Sequence, residues 1–413
     1  MIRRIKLLFL AMLLGLAGCG PGFKPVSPGL DVLIHERLDL IRGKRIGIIT
    51  NQTAVTRSGV HIVDALHRLP GVTITALFAP EHGIRGERAG GEHIASYVDS
   101  VTGITVFSLY GKTRKPTPEM LDSVDVLLFD IQDIGTRFYT FISTMGLAME
   151  AAAERGIPFI VLDRPNPITG AIVEGPVLKP EFKSFVGMYP IPIRHGMTVG
   201  ELALMINGEG WLPGGLHADL TVIPARGWQR LQWFDQTGLP WIKTSPNIPT
   251  LESAILYPGI GLLEGVNISE GRGTDRPFQN IGAPWLEPEK LKKDITNYWT
   301  YGLQLEPIEF TPVSIPNVAP HPEYEGRPCR GFRLIINDRN VLRPVSFAIY
   351  LLAAAHKYYA DSLRFTPGFD RLAGTNTLKQ QILEGTPAKE IIASWQRDLN
   401  RFKAKRKKYL LYR

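Results

Sequence analysis

Cysteine is nearly absent: Cys19 and Cys329 are the only two in the 413 residues. One thiol beyond Cys19 cannot close an internal disulfide, so the fold must stand on its core. Cys329 sits in Arg327-Pro328-Cys329-Arg330-Gly331 with no partner cysteine or nearby histidine, and reads as a buried, inert thiol. No His-x-x-x-His or Cys-x-x-Cys spacing occurs, and histidines such as His93, His195 and His321 are scattered, so no zinc framework is recognisable. Neither a Walker nor a dinucleotide fingerprint surrounds the glycine-rich stretches. The Gly-x-Ser-x-Gly elbow is missing as well, which weakens a serine-esterase reading. There is no repeat and no low-complexity tract.

Basic charge is also scarcer than the net +8 suggests. Arg3, Arg4 and Lys6 precede an apolar run over 7–16, and the tail over 397–413 sets eight basic residues against Asp398 alone. The body between them is slightly negative. A nucleic-acid role, which needs basic charge spread over a face, loses its support. The run 403–408 reads as a solvated helix end.

The first eighteen residues have the layout of a secretory signal peptide. Leu16-Ala17-Gly18-Cys19 looks like a bacterial lipoprotein processing box, in which Cys19 is lipidated and becomes the new N-terminus. The apolar run is too short to span a bilayer comfortably as a helix, whereas more than one acyl chain holds a protein stably on a membrane. Gly20 offers no obvious retention signal, so the protein is expected to be exported and lipid-anchored to the cell envelope, on the periplasmic side of an outer membrane. Residues 19–28 then form a tether rich in proline and glycine.

The remaining chain, about 385 residues, has room for two domains. Between 29 and 180, apolar runs at 44–50, 72–78, 124–129 and 158–162 alternate with helical stretches at 60–68 and 140–155. That alternation predicts an α/β domain, a mostly parallel sheet covered by helices. Residues 181–413 have a different texture, with prolines and tryptophans close together, and read as a second, smaller α+β domain. Within it, 198–207 predicts a helix, and 219–224 and 331–336 predict strands. Thr386-Pro387 opens a terminal helix in which Ile391, Ile392, Trp395, Leu399 and Phe402 fall on one face as core.

Each of the four apolar runs ends in polar side chains. Residues 44–50 lead to Asn51, Gln52 and Thr53; residues 72–78 to Ala79-Pro80-Glu81-His82-Gly83-Ile84-Arg85-Gly86; residues 124–129 to Asp130, Gln132, Asp133, Arg137 and Tyr139; residues 158–162 to Asp163, Arg164 and Asn166. Polar groups at the carboxyl ends of parallel strands sit where open α/β sheets bind ligands, so these clusters predict one cleft. Glu81 and His82 can serve as acid and base, as metal ligands, or as a structural turn. With Asp130, Asp133 and Asp163 converging in the same pocket, burial and repulsion would raise a carboxyl pKa, as a general acid near neutral pH requires. A second dense cluster runs over 257–278. Its glycines permit close approach to a ligand, and Glu264, Asn267, Ser269, Glu270, Arg272, Thr274 and Asp275 give it a high density of hydrogen-bonding groups.

Together these segments resemble the exo-β-N-acetylmuramidases of glycoside hydrolase family 171. The resemblance rests on the motif 79–86, on Phe129-Asp130-Ile131-Gln132-Asp133-Ile134-Gly135-Thr136-Arg137-Phe138-Tyr139-Thr140, on Leu162-Asp163-Arg164-Pro165-Asn166-Pro167, on 264–278, and on the ending Arg406-Lys407-Lys408-Tyr409-Leu410-Leu411-Tyr412. It spans about residues 30 to 413 and implies a Rossmann-like catalytic domain over 29–180, a C-terminal domain over 181–413, and an active site between them. It further implies release of N-acetylmuramic acid from the non-reducing end of peptidoglycan-derived glycans, with no nucleotide or redox cofactor, and places the proposed catalytic glutamate on Glu81. Glycosidic cleavage takes two carboxyl groups, and Asp130 or Asp133 is the expected partner. Arg85, Arg137 and Arg272 are candidates to read the lactyl carboxylate that distinguishes muramic acid, because a guanidinium binds carboxylate in two prongs. His82, Gln132, Tyr139, Asn166, Glu264, Asn267, Glu270, Thr274 and Asp275 complete the expected substrate contacts, and no metal is expected. Two other readings remain: a non-catalytic glycan-binding lipoprotein, and a metal-dependent deacetylase or amidase acting on the same polymer.

Overall fold

The structure is a computed structural model that describes residues 24–80, 83–86, 96–296 and 302–413. The leader, Cys19, Glu81 and His82 lie outside the described residues.

The chain enters through helix α1 (Gly29–Glu36) and then builds β1 (Arg45–Thr50), α2 (Ile62–His67), β2 (Thr73–Ala79), the short β3 (Tyr97–Val98), β4 (Thr105–Ser108), β5 (Val126–Asp130), α3 (Phe141–Arg155) and β6 (Phe159–Leu162). β1 and β5 are buried almost throughout. A strand covered on both faces carries apolar residues without alternation, and for that reason these runs are visible in the sequence. A two-stranded ribbon follows, β7 (Glu174–Val177) with β8 (Pro192–Arg194), then α4 (Val199–Gly208) and β9 (Leu220–Ile223). Thr198 and Glu201 start α4 with a reciprocal capping box.

The main sheet has the order β3-β4-β2-β1-β5-β6-β9, parallel except for the edge pair β3 with β4. From β1 the chain steps outward through β2 to β4, returns to the other side of β1 at β5, and steps outward again to β6 and β9. That is the doubly wound order, with its reversal between β1 and β5. The expected boundary at residue 180 cuts through this sheet, because β9 pairs with β6 over four registered residues. The segment 219–224 was legible as a strand, but its partner lies some sixty residues earlier and leaves no local trace.

Beyond the sheet come α5 (Leu251–Ile260), the antiparallel strands β10 (Asn280–Ala283), β11 (Leu303–Phe310) and β12 (Cys329–Ile336), helix α6 (Pro288–Thr296), and α7 (Pro344–Tyr359). The second sheet has the order β10-β12-β11. Four further helices, α8 (Phe369–Ala373), α9 (Thr377–Leu383), α10 (Ala388–Ser394) and α11 (Gln396–Arg406), close the domain. The terminal helix is thus two helices that meet at Trp395. Ser394 donates its hydroxyl to the Ile391 carbonyl at 2.7 Å, which competes with the helical ladder there. Pro387 is the N-cap residue and not the first helical one. Ile391, Trp395, Leu399 and Phe402 are nevertheless buried as the spacing predicts, and Ile392 is half-buried.

One hydrophobic core runs from the main sheet through α3 and α5 into α7 and the closing helices, and a smaller one covers the opposite face beneath α1 and α2. Cys329 is buried in β12, and burial pushes its thiol up to about 11, as expected of an inert cysteine. The run 403–408 is not wholly solvated. Arg406 is buried and donates to the carbonyls of Gly170, His195 and Gly196. Tyr412 reaches back to the main sheet and donates to Asp163 Oδ2 at 2.5 Å. No helix among the described residues is long and apolar enough to cross a membrane.

Candidate active site

All the parallel strands end on one edge of the sheet, and the second domain folds over that edge. Between them lies a cavity of about 630 Å³, within the range of small-molecule sites. The sheet side supplies Tyr110 after β4, Phe138 to Thr140 between β5 and α3, and Phe141 at the start of α3. Ser184, Phe185 and Val186 come from the loop between β7 and β8. The second domain supplies Ser245, Asn247, Tyr257, Glu264, Arg272, residues 318–322 and Arg371.

Charge on this wall is uneven. Among the described lining residues Glu264 is the only carboxylate, facing Arg114, Arg272 and Arg371. Arg272 donates Nη2 to Glu264 Oε1 at 2.9 Å, and its Nε lies 3.5 Å from Glu270 Oε1. Glu270 is sealed behind this pair, and burial pushes its carboxyl up to about 7 against the pull of Arg272. Arg114 and Arg371 are exposed and pair with no acid among the described residues; Arg114 stacks on the Phe185 ring at 4.4 Å. Tyr139 packs edge-on against Phe141 and Tyr257, which fixes its ring on the wall.

The strand ends are less convergent than the sequence suggests. Asp130 is fully buried, and both of its oxygens are held by Arg164, whose Nη2 also donates to the Val55 carbonyl. Thr53 Oγ1 accepts from the Gln132 amide, and Gln132 Nε2 donates to the carbonyls of Asp133 and Pro165. These contacts fill the crevice at the β1/β5 reversal and leave room there for about one water. Asp133 Oδ2 accepts from the Gly135 amide at 2.7 Å and lies 3.6 Å from His195 Nε2. Asp163 accepts from Thr198, Tyr412 and the amides of Arg164 and Gly200. None of these three aspartates lines the cavity, so the expected convergence of strand-end carboxylates in one pocket is replaced by three separately tied groups.

Several expected substrate contacts serve the backbone instead. Arg137 is buried and donates to the carbonyls of Pro176, Ile191 and Leu372. Asn166 bridges Met197 and Ile168, and a Cβ at Gly135, whose φ is +80°, would lie 2.6 Å from the Asn166 amide oxygen. Asn267 bridges Ser362 and Arg364, and Thr274 bonds the Gly271 carbonyl. Asp275 faces a different hollow, beside Arg276. Arg85 is gripped by Asp99 and Asp64, at 2.9 and 3.1 Å. Just after β2, the Gly83 amide donates to the Pro80 carbonyl at 3.3 Å.

Tyr110, Arg114, Arg371 and His321 line the cavity but were not singled out from the sequence. They lie in segments without a motif, and only the fold assembles them.

Models of the N- and C-terminal parts of the exo-β-N-acetylmuramidase NamZ match residues 46–252 and 255–412. The chain is 46% identical over 389 residues, 94% of its own length and 91% of the relative's, to the peptidoglycan β-N-acetylmuramidase NamZ of Bacillus subtilis. A crystal structure of a DUF1343 family protein from Bacteroides fragilis superposes with a TM-score of 0.86 at 38% identity, covering 94% of this chain and 99% of that one. A second such protein from the same organism gives 0.76 at 37% identity, with the same coverage. The chain belongs to the exo-β-N-acetylmuramidase NamZ family.

Proposed function

We propose that this protein is an exo-acting glycoside hydrolase that releases N-acetylmuramic acid from the non-reducing end of peptidoglycan fragments. Family membership supports the reaction class. The observation that carries the choice of sugar is the cavity wall, where three guanidinium groups face a single carboxylate among the described residues. Such a wall favours an anionic ligand. Muramic acid differs from N-acetylglucosamine by one lactyl carboxylate, and a guanidinium offers it two parallel hydrogen bonds. Arg114 and Arg371, which carry no acidic partner among the described residues, are better placed to read it than Arg85 or Arg137, which hold the fold.

Glu81 is the general acid in this reading, protonating the departing glycosidic oxygen. Its partner carboxyl, which attacks the sugar or activates water, moves from Asp130 or Asp133 to Glu264, because Glu264 lines the cavity and the two aspartates do not. Arg272 donates Nη2 to Glu264 Oε1 at 2.9 Å and so holds that carboxyl in place on the wall. Incubating the purified enzyme with a disaccharide of N-acetylmuramic acid on N-acetylglucosamine tests the reading. Free N-acetylmuramic acid is the expected product, and intact disaccharide would refute it.

The lipid anchor at Cys19, holding the enzyme at the periplasmic side of the outer membrane, is part of the same proposal. Cell fractionation checks it: Cys19→Ala should move the protein out of the membrane fraction.

A further inference from the structure

A second hollow, of about 520 Å³, opens beside the main cavity and shares the wall residue Val318 with it. Gln52, Trp241, Lys243 and Asn317 are among its other walls. The partition between the two spaces is fixed from both sides. Asn247, in the main cavity, donates Nδ2 to the Val318 carbonyl at 2.7 Å. Gln52, just after β1, donates Nε2 to the Lys243 carbonyl at 2.9 Å and so ties this segment to the edge of the sheet.

Trp241 is held before any ligand arrives. Its Nε1 donates to the Pro249 carbonyl at 3.1 Å, and its ring meets Phe234 edge-on at 5.1 Å. An aromatic surface set in advance loses little freedom on binding, and the C–H face of a pyranose ring packs against such a surface. Lys243 is exposed and has no ion-pair partner among the described residues.

We propose that this hollow is the leaving-chain subsite: it seats the glycan beyond the scissile bond, with an N-acetylhexosamine ring against Trp241 and a carboxylate of the chain at Lys243. The inference rests on the muramidase reading above. An enzyme that removes one terminal sugar must hold the rest of the chain next to the cavity that takes that sugar, and this hollow adjoins that cavity across their shared wall at Val318. Muramic acid recurs at every second position of the polymer, so a lactyl carboxylate follows the terminal residue at a fixed distance. A cation beside an aromatic surface complements that repeat, as a neutral wall would not.

The test compares two substrates: a tetrasaccharide ending in N-acetylmuramic acid, and a chromogenic N-acetylmuramic acid glycoside whose leaving group is a small phenol. The readout is the ratio of kcat/KM for the tetrasaccharide to that for the glycoside. Trp241→Ala should lower the ratio about fivefold to tenfold. Lys243→Ala, at an exposed side chain that folding does not need, should lower it severalfold, with a loss that shrinks as salt rises. A ratio equal to that of the wild type in both variants would overturn the subsite while leaving the muramidase reading intact. Failure of the wild type to cleave the glycoside would instead overturn the muramidase reading itself.

Discussion

Arg164 grips Asp130 with two nitrogens, Nε to Oδ1 at 2.5 Å and Nη2 to Oδ2 at 2.9 Å, and both residues are buried. Asp130 ends β5 and Arg164 follows β6, close to the reversal of strand order, where related sheets open a ligand crevice. Here charged side chains occupy that place, and the usable cavity is displaced toward the second domain. Doubly wound topology alone would therefore misplace the site.

Asp130→Asn should leave the Arg164 guanidinium buried without its counter-charge and cost about 3–5 kcal/mol of stability, read by urea unfolding. Glu264→Gln should do the opposite. Its ion pair with Arg272 is partly exposed, so the loss of stability should stay near 0–1 kcal/mol, while turnover collapses. A stable, inactive Asp130→Asn beside an active Glu264→Gln would reverse the two assignments.

The four strands and their polar ends were legible because parallel strands carry unbroken apolar runs. Which way each polar side chain turns was not. Arg137 and Arg272 look alike in sequence, yet one caps carbonyls contributed by residues 176, 191 and 372 while the other lines the cavity. The carbonyls that hold Arg137 come from segments 39, 54 and 235 residues away. Arg114 and Arg371 have no local signature at all, because a lone arginine between ordinary neighbours becomes informative only once the fold leaves it without an acidic partner among the described residues.

Stability should fall as pH rises, through Glu270. Its folded carboxyl is pushed above the usual 4.5, to about 7, by burial. A group raised in the folded state binds its proton more tightly there, so its contribution is full below about 4.5 and is lost as pH climbs through about 7. Asp163, also raised to about 7 by burial, acts in the same window. Urea midpoints of the wild type should drop between pH 5 and pH 8. In Glu270→Gln the corresponding drop in unfolding free energy, midpoint times m-value, should shrink by an amount on the order of a few kcal/mol. An equal drop in both proteins would show that Glu270 titrates normally.

Specificity should reside in Arg114 and Arg371. Charge-assisted hydrogen bonds contribute about 1.5–3 kcal/mol, so each alanine variant should narrow the preference for muramic-acid over N-acetylglucosamine glycosides about tenfold or more. The effect should fall on muramic-acid substrates alone. A double variant with wild-type discrimination would show that another group reads the lactyl carboxylate.

The most direct measurement follows free N-acetylmuramic acid released from a muramic-acid-terminated disaccharide by the wild type and by Glu81→Gln, at matched concentration and with matched unfolding midpoints. The wild type should release the sugar, and the variant should be slower by at least about 100-fold. Near-normal release by Glu81→Gln would remove Glu81 from the acid role and contradict the mechanism.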